Sequence, residues 1–230
     1  MNRKILNRIL NKRAILIYLA AFLLLFAVTS GQKDILNILG GFSPQESRGL
    51  DMIGIMRWNL CVLPPVAVSI LFMDVEMGVF RFYTMIRAKT VKQWFFVRFT
   101  GIAAANVLYL LLFVILTEIC AGNGAYKRSV FSLFVLLFFV HSFLMSMVSV
   151  ALCTQSKGIH MSVVFYLTVE GMMVVIGDIF PQTAAYLPPY WGMIRQVGEV
   201  CKGGYLLSIM GISAVVMIGS VIFIIKGLRA

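Results

Sequence analysis

Four polar side chains that could do chemistry lie within long apolar stretches of this sequence: Glu118, His141, Glu170 and Asp178. A hydrolase needs a nucleophile that is activated by a neighbouring base, and the one pair to consider is His141 with Ser213. Neither residue lies in a glycine-rich nucleophile turn. The chain has 2 histidines and no H-E-x-x-H, so the pattern predicts no zinc site. We therefore expect a chain that is not itself an enzyme.

The acidic residues of these stretches suggest a different role. A charged side chain is costly in lipid, and it usually faces a bundle interior or a water-filled path. Glu118 and Asp178 lie close to the ends of their stretches, whereas Glu170 lies near the middle. Glu170 is therefore the candidate pathway residue or structural polar residue, and a neutral Glu170 hydrogen-bonded to a neighbouring helix fits the sequence equally well.

The composition identifies the elements that must position these residues. Hydrophobic residues make up 60% of the 230, charged residues make up 13%, and the mean hydropathy is +0.94. A soluble protein could not hide so much apolar surface, and apolar runs of roughly 17 to 25 residues predict helices that cross a bilayer. The predicted fold is all-α: one membrane domain over residues 1–230, with six transmembrane helices. The predicted spans are about 14–30, 56–73, 99–121, 130–153, 162–180 and 204–226.

Local features refine two of these spans. Pro64 and Pro65 interrupt the second span, where we expect a kink. Trp58 at its outer end is typical of an aromatic belt at the membrane interface. Gly101 and Ala105 in the third span could allow close approach of another helix.

The distribution of the 20 Lys and Arg residues predicts the orientation, because basic loops tend to stay cytoplasmic. Most of them fall on the side of the N-terminus: Arg3, Lys4, Arg8, Lys12, Arg13, Arg81, Arg87, Lys89, Lys92, Arg98, Lys157, Lys226 and Arg229. Both termini of this multi-pass protein are therefore expected in the cytoplasm. The net charge of +11 then indicates topology and contact with anionic membrane lipid, and not nucleic-acid binding.

Two smaller features leave alternatives open. Residues 1–13 are expected to form an amphipathic interfacial helix, or else a frayed basic tail. In the helix, the basic residues that contact lipid phosphates would be Arg3, Lys4, Arg8, Lys12 and Arg13. Cys61 and Cys153 fall within spans, whereas Cys120 and Cys201 lie near the outer face and could either pair or stay free.

The segment 74–98, between the second and third spans, is unusually rich in charged and aromatic residues. It begins with an acid-x-acid-x-Gly turn at Asp74, Glu76 and Gly78. An amphipathic run follows, in which aromatic and basic residues alternate: Phe80, Arg81, Phe82, Tyr83, Arg87 and Lys89. A simple solvated loop does not require so many aromatic residues, so we expect a short amphipathic helix here.

These features together resemble the permease subunits of ABC-2 type ABC transporters. The family consensus is loosely E-R-E-x-G-T, then a leucine-rich helix, then P-V-S-R, and Asp74, Glu76 and Gly78 match its acids and glycine. Val79 replaces the threonine, and residues 88–91 differ from P-V-S-R. The topology resembles the family over essentially the whole chain, and the local motif over about twenty residues.

The resemblance implies that residues around 79 to 90 form a coupling helix, which docks in a cleft of a separate P-loop ATPase. The residues implied in this coupling are Asp74, Glu76, Gly78, Phe80, Arg81, Phe82, Tyr83, Arg87 and Lys89. This chain contains no G-x-x-x-x-G-K-S/T motif, so the partner ATPase would bind ATP and Mg. This chain itself would then bind no cofactor. A second permease subunit, identical or homologous, is also implied. The external segment 181–203 would form re-entrant or interfacial helices, with Tyr190 and Trp191 at headgroup depth, or else an ordinary extracellular loop anchored by these aromatic residues.

The substrate is the least determined part. Short external loops resemble those of small permeases in the bacterial inner membrane that export peptides or protect against lantibiotics. An amphipathic peptide, an antibiotic or another hydrophobic compound is therefore the expected substrate class. The alternatives are a membrane immunity or sensor protein that transports nothing and, less favoured, an intramembrane hydrolase that uses His141 and Ser213.

Overall fold

The computed structural model describes residues 12–29, 52–77, 90–121, 128–156, 159–193 and 205–229, and these ranges contain helices and turns but no strand. The helices are α1 Lys12–Thr29, α2 Met52–Met77, α3 Val91–Ala121, α4 Arg128–Ser156, α5 Ile159–Ile179, α6 Pro181–Ala184, α7 Pro188–Trp191 and α8 Leu206–Arg229. The all-α class predicted from the sequence is confirmed.

Within these ranges, five helices are long and apolar enough to cross a membrane: Gly54–Glu76, Gln93–Ile115, Phe131–Gln155, Ile159–Ile179 and Leu206–Lys226. They correspond to the second to sixth predicted spans, so the multi-pass membrane character is confirmed. The predicted first span forms α1, an 18-residue helix about 27 Å long at 1.5 Å per residue. Apolar side chains such as Leu16 and Leu23 are exposed on α1.

The helix α2 is continuous through both prolines, at the position where we expected a kink. A proline at position 65 cannot donate the backbone hydrogen bond to the carbonyl of Cys61. The Tyr109 hydroxyl of α3 donates to that carbonyl instead, at 2.7 Å. The Ser69 hydroxyl donates to the Pro65 carbonyl at 2.7 Å. Side chains therefore supply donors to backbone carbonyls along the proline-containing part of this helix.

The helix α3 begins at Val91 and not near residue 99, where the longest apolar run starts. The hydroxyl of Thr90 accepts a hydrogen bond from the Gln93 N–H at 3.1 Å, which is the geometry of an N-cap. The first turns of α3 therefore contain Trp94 and Arg98, both of which are buried against the rest of the bundle.

The centre of the bundle is α4, which packs against α2, α3, α5, α7 and α8. Gly101 and Ala105 on α3 are buried, and the Tyr18 hydroxyl of α1 donates to the Ala105 carbonyl at 3.2 Å. This hydrogen bond joins α1 to α3. By contrast, α5 and α8 expose most of their apolar side chains, including Leu207 and Val215 at 81% and 71% exposure. An apolar surface of this kind suits lipid.

Candidate functional site

A cluster of polar and aromatic side chains lies inside the bundle where α2, α4 and α5 meet. The indole N–H of Trp58 donates to Glu170 Oε1 at 2.8 Å, and Nε2 of His141 lies 3.1 Å from the same oxygen. The rings of Trp58 and His141 stack with centroids 5.8 Å apart. All three side chains have 0% exposure. We call Trp58, His141 and Glu170 the polar triad.

Helical periodicity on α5 accounts for the position of Glu170. The buried residues of α5 are Ser162, Tyr166, Glu170, Val174 and Gly177. Their spacing of three or four residues places them on one face of the helix, and that face packs against α2 and α4. Glu170, which we predicted as a pathway residue or structural polar residue, is therefore buried between helices.

The polar triad retains hydrogen-bonding capacity that it does not use. Oε2 of Glu170 and Nδ1 of His141 are buried and have no hydrogen-bond partner in the described part of the chain. The same is true of the Tyr166 hydroxyl, one helical turn before Glu170 on α5. Most buried polar groups in proteins have a hydrogen-bond partner. Three buried polar atoms without one therefore make this cluster unusual.

The segment 181–193, which contains the short helices α6 and α7 and which we call the α6–α7 hairpin, contacts the polar triad at Trp58. Residues Pro188 to Met193 are buried, although they belong to a segment between two long helices. A Cβ added at Gly192 would lie 2.9 Å from the Trp58 ring, so a glycine is required for the hairpin to approach this closely. The hairpin therefore contacts a member of the polar triad directly.

Two hydrogen bonds hold this hairpin in place. The Tyr190 hydroxyl donates to the Val174 carbonyl of α5 at 2.9 Å, and the indole N–H of Trp191 donates to the Ala185 carbonyl at 2.9 Å. Burial, together with the charge of Asp178, raises the pKa of Tyr190 above its usual value, so its phenol remains a neutral donor.

The aromatic residues that we expected at the membrane interface face the interior of the bundle. Trp58, Tyr190 and Trp191 each have 0% exposure. Each of them donates its polar hydrogen to an acceptor within the chain, so none of them needs water or a lipid headgroup as a partner. Two of the basic residues expected at the interface, Lys12 and Arg13, are exposed at the start of α1. Residues 1–11 lie outside the described ranges.

A second polar cluster joins the end of α2 to the beginning of α3. Nη2 and Nε of Arg98 lie 2.6 and 3.1 Å from Oε2 of Glu76. The guanidinium carbon of Arg98 lies 4.6 Å from the centroid of the Trp94 ring, a cation–π contact. Glu76 is 2% exposed and Arg98 is 8% exposed. We call Glu76, Trp94 and Arg98 the helix-end clamp.

All three residues of the helix-end clamp fall within the predicted segment 74–98, and one of them, Glu76, is a predicted coupling residue. Asp74, also on α2, is partly exposed. The predicted coupling residues Gly78, Phe80, Arg81, Phe82, Tyr83, Arg87 and Lys89 lie outside the described residues. The pairing of Glu76 with Arg98 was not predicted from the sequence. The sequence does contain a signal for it, because Glu76 ends one apolar run and Arg98 lies at the start of the next.

The structure does not bring together the pair considered for hydrolysis. His141 contacts Glu170, whereas the Ser213 hydroxyl on α8 has no hydrogen-bond partner among the described residues. The described part of the chain contains no group of three or more His, Cys, Asp or Glu side chains that could hold a metal ion. Cys61 and Cys153 are free and buried, and the side chains of Cys120 and Cys201 are outside the described set.

No family model, no curated protein and no solved structure matches this chain. The function of this chain is therefore inferred from the geometry described above and from the sequence features of the segment 74–98.

Proposed function

We propose that this chain is the permease subunit of an ABC transporter that exports an amphipathic peptide, an antibiotic or another hydrophobic compound. In this proposal a separate P-loop ATPase binds ATP and Mg, and a second permease subunit completes the transport path. The membrane bundle of this chain supplies half of that path in the bacterial plasma membrane.

The helix-end clamp is the observation that supports this proposal best. The segment that begins at Gly78 and ends before Thr90 is bounded by α2 and α3, and Glu76 binds Arg98 across these two helices. A force applied to the segment would therefore act on both helices together. A device that converts nucleotide-driven movement of a partner into movement of membrane helices requires such a connection.

The composition of the segment fits a protein partner. Its aromatic residues can fill a hydrophobic cleft, and Arg81, Arg87 and Lys89 can pair with acidic residues at the rim of that cleft. Gly78 permits a sharp change of chain direction after α2. A helix that only lies on lipid would not require the buried ion pair next to it.

The proposal also includes the six-span topology. In it, α1 crosses the membrane together with the five helices already identified, so both termini lie in the cytoplasm. The segment 74–98 and the helix-end clamp are then on the cytoplasmic side, where an ATPase can reach them.

The experiment that tests this proposal is purification of the tagged chain from its native membrane in a mild detergent, followed by mass spectrometry of the proteins that accompany it. We expect a P-loop ATPase, which is lost when Arg81→Glu and Arg87→Glu are introduced together. The matched control is Lys127→Glu with Arg128→Glu, which reverses the same number of charges in another loop and should leave the ATPase bound.

Two results would contradict the proposal. The first is purification of the chain without any ATPase in several detergents, which would favour an immunity or sensor protein that transports nothing. The second is an ATPase that remains equally bound to the variant with Arg81→Glu and Arg87→Glu, which would remove the coupling role from this segment.

A further inference from the structure

We propose that Glu170 and His141 form a proton-binding site inside the membrane bundle, which Trp58 orients and the α6–α7 hairpin covers. This inference goes beyond the transport function proposed above and does not depend on it, because the site lies within this chain alone.

The contact between the two side chains requires a proton. Oε1 of Glu170 lies 3.1 Å from Nε2 of His141, so one atom of this pair must donate a hydrogen bond to the other. With a single proton on Nε2, the pair consists of a carboxylate and a neutral imidazole and has a net charge of minus one. The indole N–H of Trp58 stabilises that charge by donating to Oε1 at 2.8 Å.

A second proton would neutralise the pair. Its uptake from water changes the net charge from minus one to zero and produces a carboxylic acid on Glu170 beside a neutral imidazole. Both side chains have 0% exposure, and an uncompensated charge is costly inside a membrane.

Unused atoms are available to receive this proton. Oε2 of Glu170 and Nδ1 of His141 are both buried and have no hydrogen-bond partner within the described ranges. A carboxyl–imidazole pair can accept and release protons through either group, which is how Asp, Glu and His act in membrane proton relays.

The other ionisable side chains around the site do not carry this proton. The nearby ionisable side chains include Tyr166 on α5, Cys61 on α2 and Tyr109 on α3. These are phenols and a thiol, whose ordinary pKa values of about 8.5 to 10 keep them neutral near pH 7. Tyr190 on α7 is a neutral donor, as described above, and Arg57 precedes Trp58 on α2. The carboxyl–imidazole pair is therefore the group that exchanges a proton.

The hairpin controls access to the pair in this proposal. Gly192 packs directly on the Trp58 ring and Tyr190 packs on Gly177, which lies two helical turns beyond Glu170 on α5. Movement of residues 188–193 away from α5 would uncover the side of Trp58 that they now cover, and water could then approach the pair.

The experiment is infrared difference spectroscopy of the purified full chain in lipid nanodiscs, recorded as the pH is lowered. We expect the carbonyl stretch of a protonated carboxylic acid to appear, to shift in D₂O and to be lost in Glu170→Gln. His141→Gln should keep the band but move it, because the hydrogen-bond partner of the carboxyl group has changed. Asp178→Asn, which removes a partly exposed carboxyl group from the same helix, should leave the band unchanged.

The proposal is overturned if the wild-type chain shows no such band, or if Glu170→Gln retains the wild-type band unchanged. If Glu170→Gln does not fold, as judged by circular dichroism, the wild-type chain with ¹³C-labelled glutamate side chains replaces it. The band must then move with labelled glutamate and stay in place with labelled aspartate, and the opposite result overturns the proposal. No ATPase is present in these measurements, so their failure is separate from failure of the transport proposal.

Discussion

The carbonyl oxygen of Cys61 depends on a single side chain, because Pro65 has no N–H to offer it. Tyr109 supplies the hydrogen bond from α3 at 2.7 Å. At the scale of single residues, the bundle contains several such pairings between a group on one helix and a donor on another. Trp58 with Glu170 and Arg98 with Glu76 are the others that matter for the proposed site and for the proposed function.

The pairing of Tyr109 with Cys61 leads to a testable prediction. Tyr109→Phe should lower the free energy of unfolding by about 1–3 kcal/mol, since it leaves a buried carbonyl without a donor. In a Pro65→Ala background the restored backbone N–H can donate to Cys61, so the same change should cost about 1 kcal/mol or less. Denaturant titration of all four proteins in mixed micelles measures this difference. Equal costs in the two backgrounds would show that the hydroxyl does not replace the missing N–H.

The helix-end clamp leads to a second prediction at this scale. Glu76→Gln alone or Arg98→Met alone breaks the buried ion pair by removing one of its two charges, and each should destabilise the chain by about 3–5 kcal/mol. The double variant removes both charges and should recover most of the loss. The same titration in mixed micelles measures the coupling between the two sites. Additive losses would mean that the ion pair does not join α2 to α3 energetically.

At the scale of elements, glycines determine how closely the α6–α7 hairpin packs on α5. A Cβ at Gly177 would lie 2.3 Å from the Tyr190 ring, whereas a Cβ at Gly171, on the same helix, would meet nothing within 4 Å. Both glycines lie inside α5, but their tertiary surroundings differ, so they form a matched pair for an experiment.

We predict that Gly177→Ala displaces the Tyr190 ring and destabilises the hairpin by about 1–3 kcal/mol, as expected for overpacking. Gly171→Ala should be neutral or stabilising by up to about 1 kcal/mol, because alanine favours the helix. Hydrogen exchange of the amides of residues 181–193, followed by mass spectrometry, should become faster only in Gly177→Ala. Equal exchange in both variants would mean that the close contact at Gly177 does not hold the hairpin.

At the scale of the whole molecule, the locations of the two termini show whether α1 crosses the membrane. Five crossings would place the termini on opposite sides of the membrane, whereas the six that we propose place both on the same side. The 18 residues of α1 span about 27 Å, close to the roughly 30 Å thickness of the hydrocarbon core.

This leads to a prediction for Asn2→Cys and Ala230→Cys, each in a chain whose four native cysteines have been replaced. A membrane-impermeant thiol reagent should label neither variant in intact cells and both in inside-out vesicles. Labelling of one terminus from each side would reduce the number of crossings to five and would contradict the six-span proposal.

The sequence alone determined the class of this protein and the approximate positions of its long helices. Helices satisfy their own backbone hydrogen bonds, so the length of each apolar run predicts a spanning helix without knowledge of its neighbours. The sequence also identified Glu170, because a carboxyl group in the middle of such a run is costly unless it faces the interior.

The tertiary structure decided which side chains meet. In a chain with 60% hydrophobic residues, apolar side chains occupy buried and lipid-facing positions alike, so their pattern does not indicate which face of a helix packs inward. That is why the inward orientation of Trp58, the contact of His141 with Glu170 and the pairing of Arg98 with Glu76 were not predicted. Each of these contacts joins different helices, and only the packing of those helices fixes the distance between their partners.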